Sequence, residues 1–303
     1  MPIFIVMILG YVLMRVHFFT EEFVKIADKY VFKVALPVLL FKQIATADIH
    51  SEFDIKFVIF CMVATTIMFM AVWAGARVFL KDKTMVGAFA QASARGSAAI
   101  LGIAFIENIY GSSGMGPLMI VSAVPLYNIY SVIILTFNAN DRQQGKGAIK
   151  KAFLNILKNP IIIGIFLGLP FSIIGIDIPV IPLKAITSIA QTATPIALLT
   201  VGAGFKGRKA IAKLKPSIAA TLIKLVIIPM VFLPVAVWLG FRGAALVAII
   251  IMLGSPTTVT CYIMAKNMHN DEVLSSSVIV LATLFSSVTL TGWVYIMRSF
   301  GWI

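Results

Sequence analysis

The sequence predicts an all-α integral membrane protein with ten transmembrane helices, arranged as two inverted five-helix repeats with broken, crossing helices in the fourth and ninth spans. Three observations carry this reading. The 303 residues are 60% hydrophobic and 12% charged, with a mean hydropathy of +1.01; a soluble domain carries about 25% charged residues. Apolar runs near the roughly 20 residues needed to cross a bilayer recur along the whole chain. Short sequences in the first half return in the second at one fixed offset of 158 residues.

The ten apolar segments fall at 2–19, 27–47, 56–78, 84–109, 116–137, 153–175, 184–204, 216–239, 243–266 and 274–299. In lipid every backbone group must be satisfied within its own element, so these are helices. A β-barrel would need strands that alternate polar and apolar residues, and runs such as IIIGIFLGLPFSIIG do not alternate. The first segment lacks a basic stretch before it and a small-residue cleavage site after it, so it reads as a span with a short tail rather than a signal peptide.

Orientation follows from the cations. Of 25 Lys and Arg, 17 fall in the odd-numbered connections and 5 in the even ones and the C-terminal tail. The basic side is cytoplasmic, which places the protein in the cell membrane, multi-pass, with both termini extracytoplasmic. A polar, basic connection, NANDRQQGKGAIKK, divides the chain into a first repeat at 1–137, a linker at 138–152 and a second repeat at 153–303. Five spans per half is an odd number, so the second half enters from the opposite side and any repeat is inverted. Leu9-Gly10 matches Leu167-Gly168, and Ala35-Leu36-Pro37-Val38 matches Ala193-Thr194-Pro195-Ile196. Pro37 and Pro195 thereby become expected helix breaks of the second and seventh spans.

The fourth and ninth spans carry the strongest signals of irregular backbone, which is where broken helices aim their ends at a ligand. The ninth contains Gly254, Ser255, Pro256 and Thr257 in succession; Pro256 is the expected break. The fourth is rich in Gly, Ala and Ser, with Arg95, Gly96, Ser97 and Gly102. Small residues also serve plain helix packing, but breaks at matching positions of the two halves favour two unwound helices that cross. A guanidinium at membrane depth faces a cavity or a partner, and Arg95 can grip a carboxylate bidentately. Lys224 reads as a cation that snorkels to the cytoplasmic edge. Lys33 continues a membrane-edge stripe with Lys25 and Lys29. Gln91, Gln191, Ser93, Asn128 and Tyr127 either bond substrate or hold helices together.

No Asp or Glu lies in the middle of a span. A cation antiporter exposes membrane-embedded carboxylates; a cavity with Arg95 and no fixed acid suits a small organic anion. Nucleic-acid binding is excluded by cations scattered in short patches between apolar runs. Hydrolase, metalloprotease and phosphate-loop motifs are absent, so the chain reads as no enzyme, with no cofactor and no metal. Cys61 and Cys261 lie far apart in apolar runs and form no framework. Proton or sodium coupling and a homodimer are left open, and a non-transporting receptor for the same solute is the alternative from another class.

The chain resembles the auxin efflux carrier family, which includes bacterial permeases and the plant PIN-type auxin carriers. The resemblance rests on MILGYVLMR, FKVALPVLLF, QASARGSAAILGIAFIENIYG, ATPIALLTVGAGF and GSPTTVTCYIMAKNMHND, in that order along nearly the whole chain. It implies ten helices in two inverted repeats, and a transport domain with crossing fourth and ninth helices that slides against a scaffold domain. It implies carboxylate substrates: auxin-like acids, or acids like malate and malonate. A cation-coupled symporter of the bile-acid carrier type is the alternative. Site roles carry over to Arg95, Gly96, Ser97 and Gly102, and to Ser255, Pro256 and Thr257. Many relatives have Asn near Ser97 and Pro near Ala104; this chain departs from both.

Overall fold

The computed structural model describes residues 2–47, 53–98, 106, 114–139, 148–205 and 207–303. Among them every regular element is helical and no strand forms. The helices are α1 (Pro2–Arg15), α2 (Glu21–Tyr30), α3 (Leu36–Ala45), α4 (Ile55–Phe79), α5 (Val86–Ala94), α6 (Gly116–Phe137), α7 (Ala148–Leu157) and α8 (Pro160–Ile174). After them come α9 (Val180–Ala203), α10 (Gly207–Ala212), α11 (Leu214–Leu222), α12 (Ile228–Trp238), α13 (Gly243–Gly254), α14 (Thr260–Asn267) and α15 (Glu272–Ser299). A π turn, Val31–Ala35, joins α2 to α3, and another, Ile223–Ile227, joins α11 to α12.

Helix starts follow capping chemistry. Backbone N–H groups orphaned in a first turn need an acceptor. Thr20 Oγ1 accepts from Phe23 N at the start of α2, Asp54 Oδ1 from Lys56 N and Phe57 N at α4, and Asp271 Oδ1 from Leu274 N at α15. Asn159 Oδ1 caps α8 in the same way, and α8 stops at Gly175, whose φ of 73° no branched residue accepts readily.

Among the described residues, five helical stretches are long and apolar enough to cross a membrane: α4, α6, α9, the unit Leu214–Trp238, and α15. Shorter apolar helices cover Ile3–Arg15, Pro160–Ile174 and Gly243–Gly254. Many apolar side chains point outward, among them Ile59, Val63 and Ile67 of α4 and Leu222, Val231 and Val235 of α11 and α12. Lipid, unlike water, does not oppose that exposure. By contrast every residue of α5, and every residue of α13 from Leu246 on, is buried.

Packing sorts the helices into two groups. In one, α1 lies along α9, and α3 lies between α8 and α9. In the other, α4 packs on α5 and α6, and α15 packs on α5, α11, α13 and α14. The groups meet mainly where α14 touches α2, the first π turn and α9, and where α6 touches α3 and α8. Two contacts within the first group mirror each other. A Cβ on Gly10 of α1 would strike the backbone of Leu199 in α9, and a Cβ on Gly168 of α8 would strike the backbone of Phe41 in α3. Gly168 and Leu199 stand 158 residues beyond Gly10 and Phe41 respectively.

Two expectations are corrected. Pro195 lies inside α9, which runs unbroken from Val180 to Ala203; proline removes one bond from the ladder without ending the helix when neighbours hold it in place. Pro37 is the second residue of α3, where its missing N–H is tolerated, and the disturbance before it is a π turn rather than a break.

Candidate functional site

The site is built where two helices end at the same place. α5 stops at Ala94, and Arg95 takes extended backbone (φ −77°, ψ 122°). α13 stops at Gly254, and Ser255 is extended too (φ −65°, ψ 148°). Pro256 has no N–H to continue a ladder, and Gly96 presents no side chain. The two extended segments therefore pair with each other: Gly96 and Thr257 form an isolated antiparallel bridge, and Ser97 N donates to Pro256 O at 2.9 Å. Thr257 Oγ1 donates to Ala92 O at 2.7 Å, satisfying one carbonyl at the end of α5. Gly96 is required by close approach, since a Cβ there would run into Ser255 Oγ and Lys224 Nζ.

Arg95 is 4% exposed. Its Nη2 donates to Asn128 Oδ1 at 2.7 Å and its Nη1 to Met264 Sδ at 2.9 Å. Gln91 Nε2 donates to the same sulfur at 3.3 Å. A thioether is a weak acceptor, so this guanidinium is held without being neutralised. Among the described residues no carboxylate pairs with it. Asn128 is itself fixed by donating Nδ2 to Val124 O, and Tyr127, its neighbour on α6, donates its hydroxyl to Met252 O at 2.7 Å.

Beside Arg95 lies a cavity of about 40 Å³. Arg95 to Ala98, Val124, Tyr127, Thr258 and Thr260 line it from one helix group, and Leu36, Leu39, Leu40 and Gln43 of α3 line it from the other. It sits at the boundary between the groups. Its volume admits about one water. Larger hollows of about 400 and 490 Å³ run along α1 and between α4 and α12. Those are apolar grooves at the outer surface, without the buried cation that marks the small cavity.

The family described as membrane transport protein matches residues 1–294. The chain belongs to this family, the auxin efflux carriers. It is 24% identical over 305 residues to the uncharacterized transporter YfdV of Escherichia coli, covering 98% of this chain and 96% of that one. It is 23% identical over 298 residues to an uncharacterized transporter of Methanothermobacter thermautotrophicus, with 97% and 95% covered. It is 23% identical over 309 residues to a Rhizobium meliloti protein described as a candidate malonate transporter, with 99% and 95% covered. It is thus a multi-pass membrane transport protein and not an enzyme.

Within this auxin efflux carrier chain the structure gathers Arg95, Gly96, Ser97, Ser255, Pro256, Thr257 and Gln91 around the crossing. Gln191 is not among them: it is exposed on α9 and lines no part of the cavity. Gly102 lies outside the described residues, as does Ala104. Four participants were not assigned to the site by the sequence. Gln43 and Thr258 line the cavity, and Met264 holds Arg95; an apolar thioether in a span gives no sequence signal. Lys224 is the fourth, and its placement corrects the snorkelling expectation. It is fully buried, with Nζ donating to Ala94 O at 3.2 Å and Leu253 O at 2.7 Å. The π turn Ile223–Ile227 turns it inward, a local geometry hydropathy does not announce.

Proposed function

We propose that this protein carries small organic anions, carboxylates of malonate or malate size or auxin-like acids, across the cell membrane by elevator-type alternating access. The observation that carries the reading is Arg95: a buried guanidinium, unpaired with any described carboxylate, held by a thioether and an amide beside a cavity shared by two helix groups. A carboxylate offers two charged acceptors in place of one sulfur, and hydrogen bonds between charged groups are about twice as strong as neutral ones. The resemblance to a described malonate transporter fits that substrate class.

A cavity of about 40 Å³ does not admit such an acid, so the site opens and closes during the cycle. The group containing α5 and α13 is the transport domain, and the group of α1, α2, α3, α8 and α9 is the scaffold. The mirrored contacts of Gly10 with Leu199 and Gly168 with Phe41 support two inverted five-span repeats, and the excess of Lys and Arg in the odd connections supports extracytoplasmic termini.

The test is flux of labelled malonate, malate and indole-3-acetate into liposomes containing the purified protein. Saturable uptake that Arg95→Gln lowers by about ten- to a hundredfold is the expected result. Equal carboxylate uptake by the wild type and Arg95→Gln overturns the anion site; binding without flux replaces the carrier by a receptor.

A further inference from the structure

Lys224 is as deeply buried as any residue in the protein, and the transport cycle outlined above gives it no task. Its surroundings do. α5 and α13 approach the crossing from different directions and both end there in carbonyls. A helix C-terminus carries about half a negative charge, so the ends of these helices make a site for a cation. Ala94 O and Leu253 O, in the last turns of the two helices, both accept from Lys224 Nζ. A third oxygen adjoins them. Ser255 Oγ is wholly buried and bonds to nothing among the described residues, and a Cβ on Gly96 would strike both it and Lys224 Nζ.

Two carbonyls and a hydroxyl, with no carboxylate among the described residues, form a ligand set of low charge. Unwound helices in secondary transporters present such oxygens to sodium or another monovalent ion. Here an ammonium on a tether occupies the place. Lys224 sits in the π turn Ile223–Ile227, and Trp293 Nε1 donates to the carbonyl of Leu225 in the same turn at 2.9 Å.

We infer that Lys224 is a built-in substitute for a coupling cation, filling the ion site between the carbonyl ends of α5 and α13, so that transport proceeds without sodium. Removing the ammonium leaves vacant oxygens that a free monovalent cation can enter. The full-length protein in detergent tests this by its melting temperature in choline, sodium, lithium and potassium chloride at constant ionic strength. The wild type is expected to melt alike in all four. Lys224→Met is expected to melt lower in choline and to gain about 5 °C, saturably, in sodium, lithium or potassium once the ion exceeds its Kd a hundredfold. Lys224→Arg, which keeps a charge in place, is expected to show no such gain.

A saturable sodium-specific rise in the wild type overturns the inference, and so does a Lys224→Met protein with no cation preference. Should Lys224→Met fail to fold, wild-type flux decides: labelled carboxylate uptake is expected to be unchanged when choline replaces sodium, and a tenfold loss overturns the inference. The functional conclusion rests on the carrier reading, but the melting series does not. Absence of any carboxylate flux therefore condemns the substrate reading and leaves the role of Lys224 to be decided by melting.

Discussion

Arg95 is poised by what it lacks. Its partners are Met264 Sδ and Asn128 Oδ1, both uncharged, so the proposed carboxylate substrate would be its first negative partner, none being present among the described residues. A hydrogen bond to a charged group contributes about 1.5–3 kcal/mol, so Arg95→Gln should lower carboxylate uptake by about ten- to a hundredfold, read as initial flux in proteoliposomes. Asn128→Asp is the sharper test. It keeps the shape and adds an internal carboxylate 2.7 Å from the guanidinium. It should suppress uptake more strongly than Asn128→Ala, which only removes an acceptor. If Asn128→Asp transports as well as the wild type, Arg95 does not hold the anion. Gly96→Ala belongs to the same scale: its methyl would meet Ser255 Oγ and Lys224 Nζ, and overpacking of this kind costs about 1–3 kcal/mol, visible as a lowered melting temperature.

At the scale of elements, the helices α1 and α8 are seated by single glycines. Gly10 lets α1 lie on the backbone of Leu199, and Gly168 lets α8 lie on that of Phe41. Close approach through small residues is how helices associate where lipid removes the hydrophobic driving force. Gly10→Leu and Gly168→Leu should each lower the melting temperature, and by similar amounts because the two seats mirror each other; Gly292→Leu on α15, where nothing lies within 4 Å, should not. An unequal pair, with one seat tolerant, would break the proposed symmetry. The elements were legible in the sequence where hydropathy or a cap determines them: α4, α6 and α15 lie where their apolar runs fall, and Ser255-Pro256 marked the end of α13 through chemistry local to those residues. What was not legible depends on neighbours. Pro195 is carried inside a helix, Gln191 faces outward instead of inward, and Lys224 is buried instead of snorkelling, because each outcome is set by which face a distant helix covers.

At the scale of the molecule, the proposed alternating access needs contacts that hold the two helix groups together when the site is closed. One contact across their boundary is ionic. Asp28 on α2 is 2% exposed and pairs with Lys266 at the end of α14. Lys266 Nζ also donates to Tyr262 Oη at 3.2 Å, and Asn267 Nδ2 donates to Asp28 O at 3.5 Å. Breaking a wholly buried pair by removing one partner costs about 3–5 kcal/mol; with the Lys266 side chain 27% exposed the penalty is smaller, about 1–3 kcal/mol. That penalty falls on the closed arrangement alone if opening lets water reach Asp28. A shift of 1.4 kcal/mol changes a two-state ratio tenfold, so Lys266→Met should open the boundary measurably. Leu40 of α3 is buried and lines the cavity at that boundary. With Cys61 and Cys261 replaced, Leu40→Cys should react with a membrane-impermeant maleimide several-fold faster in the Lys266→Met background. Adding Asp28→Asn removes the stranded charge and should return the rate toward that of the intact pair, since replacing both partners is often near neutral. Labelling that ignores Lys266 would mean that the pair merely braces α14, and that the groups part elsewhere.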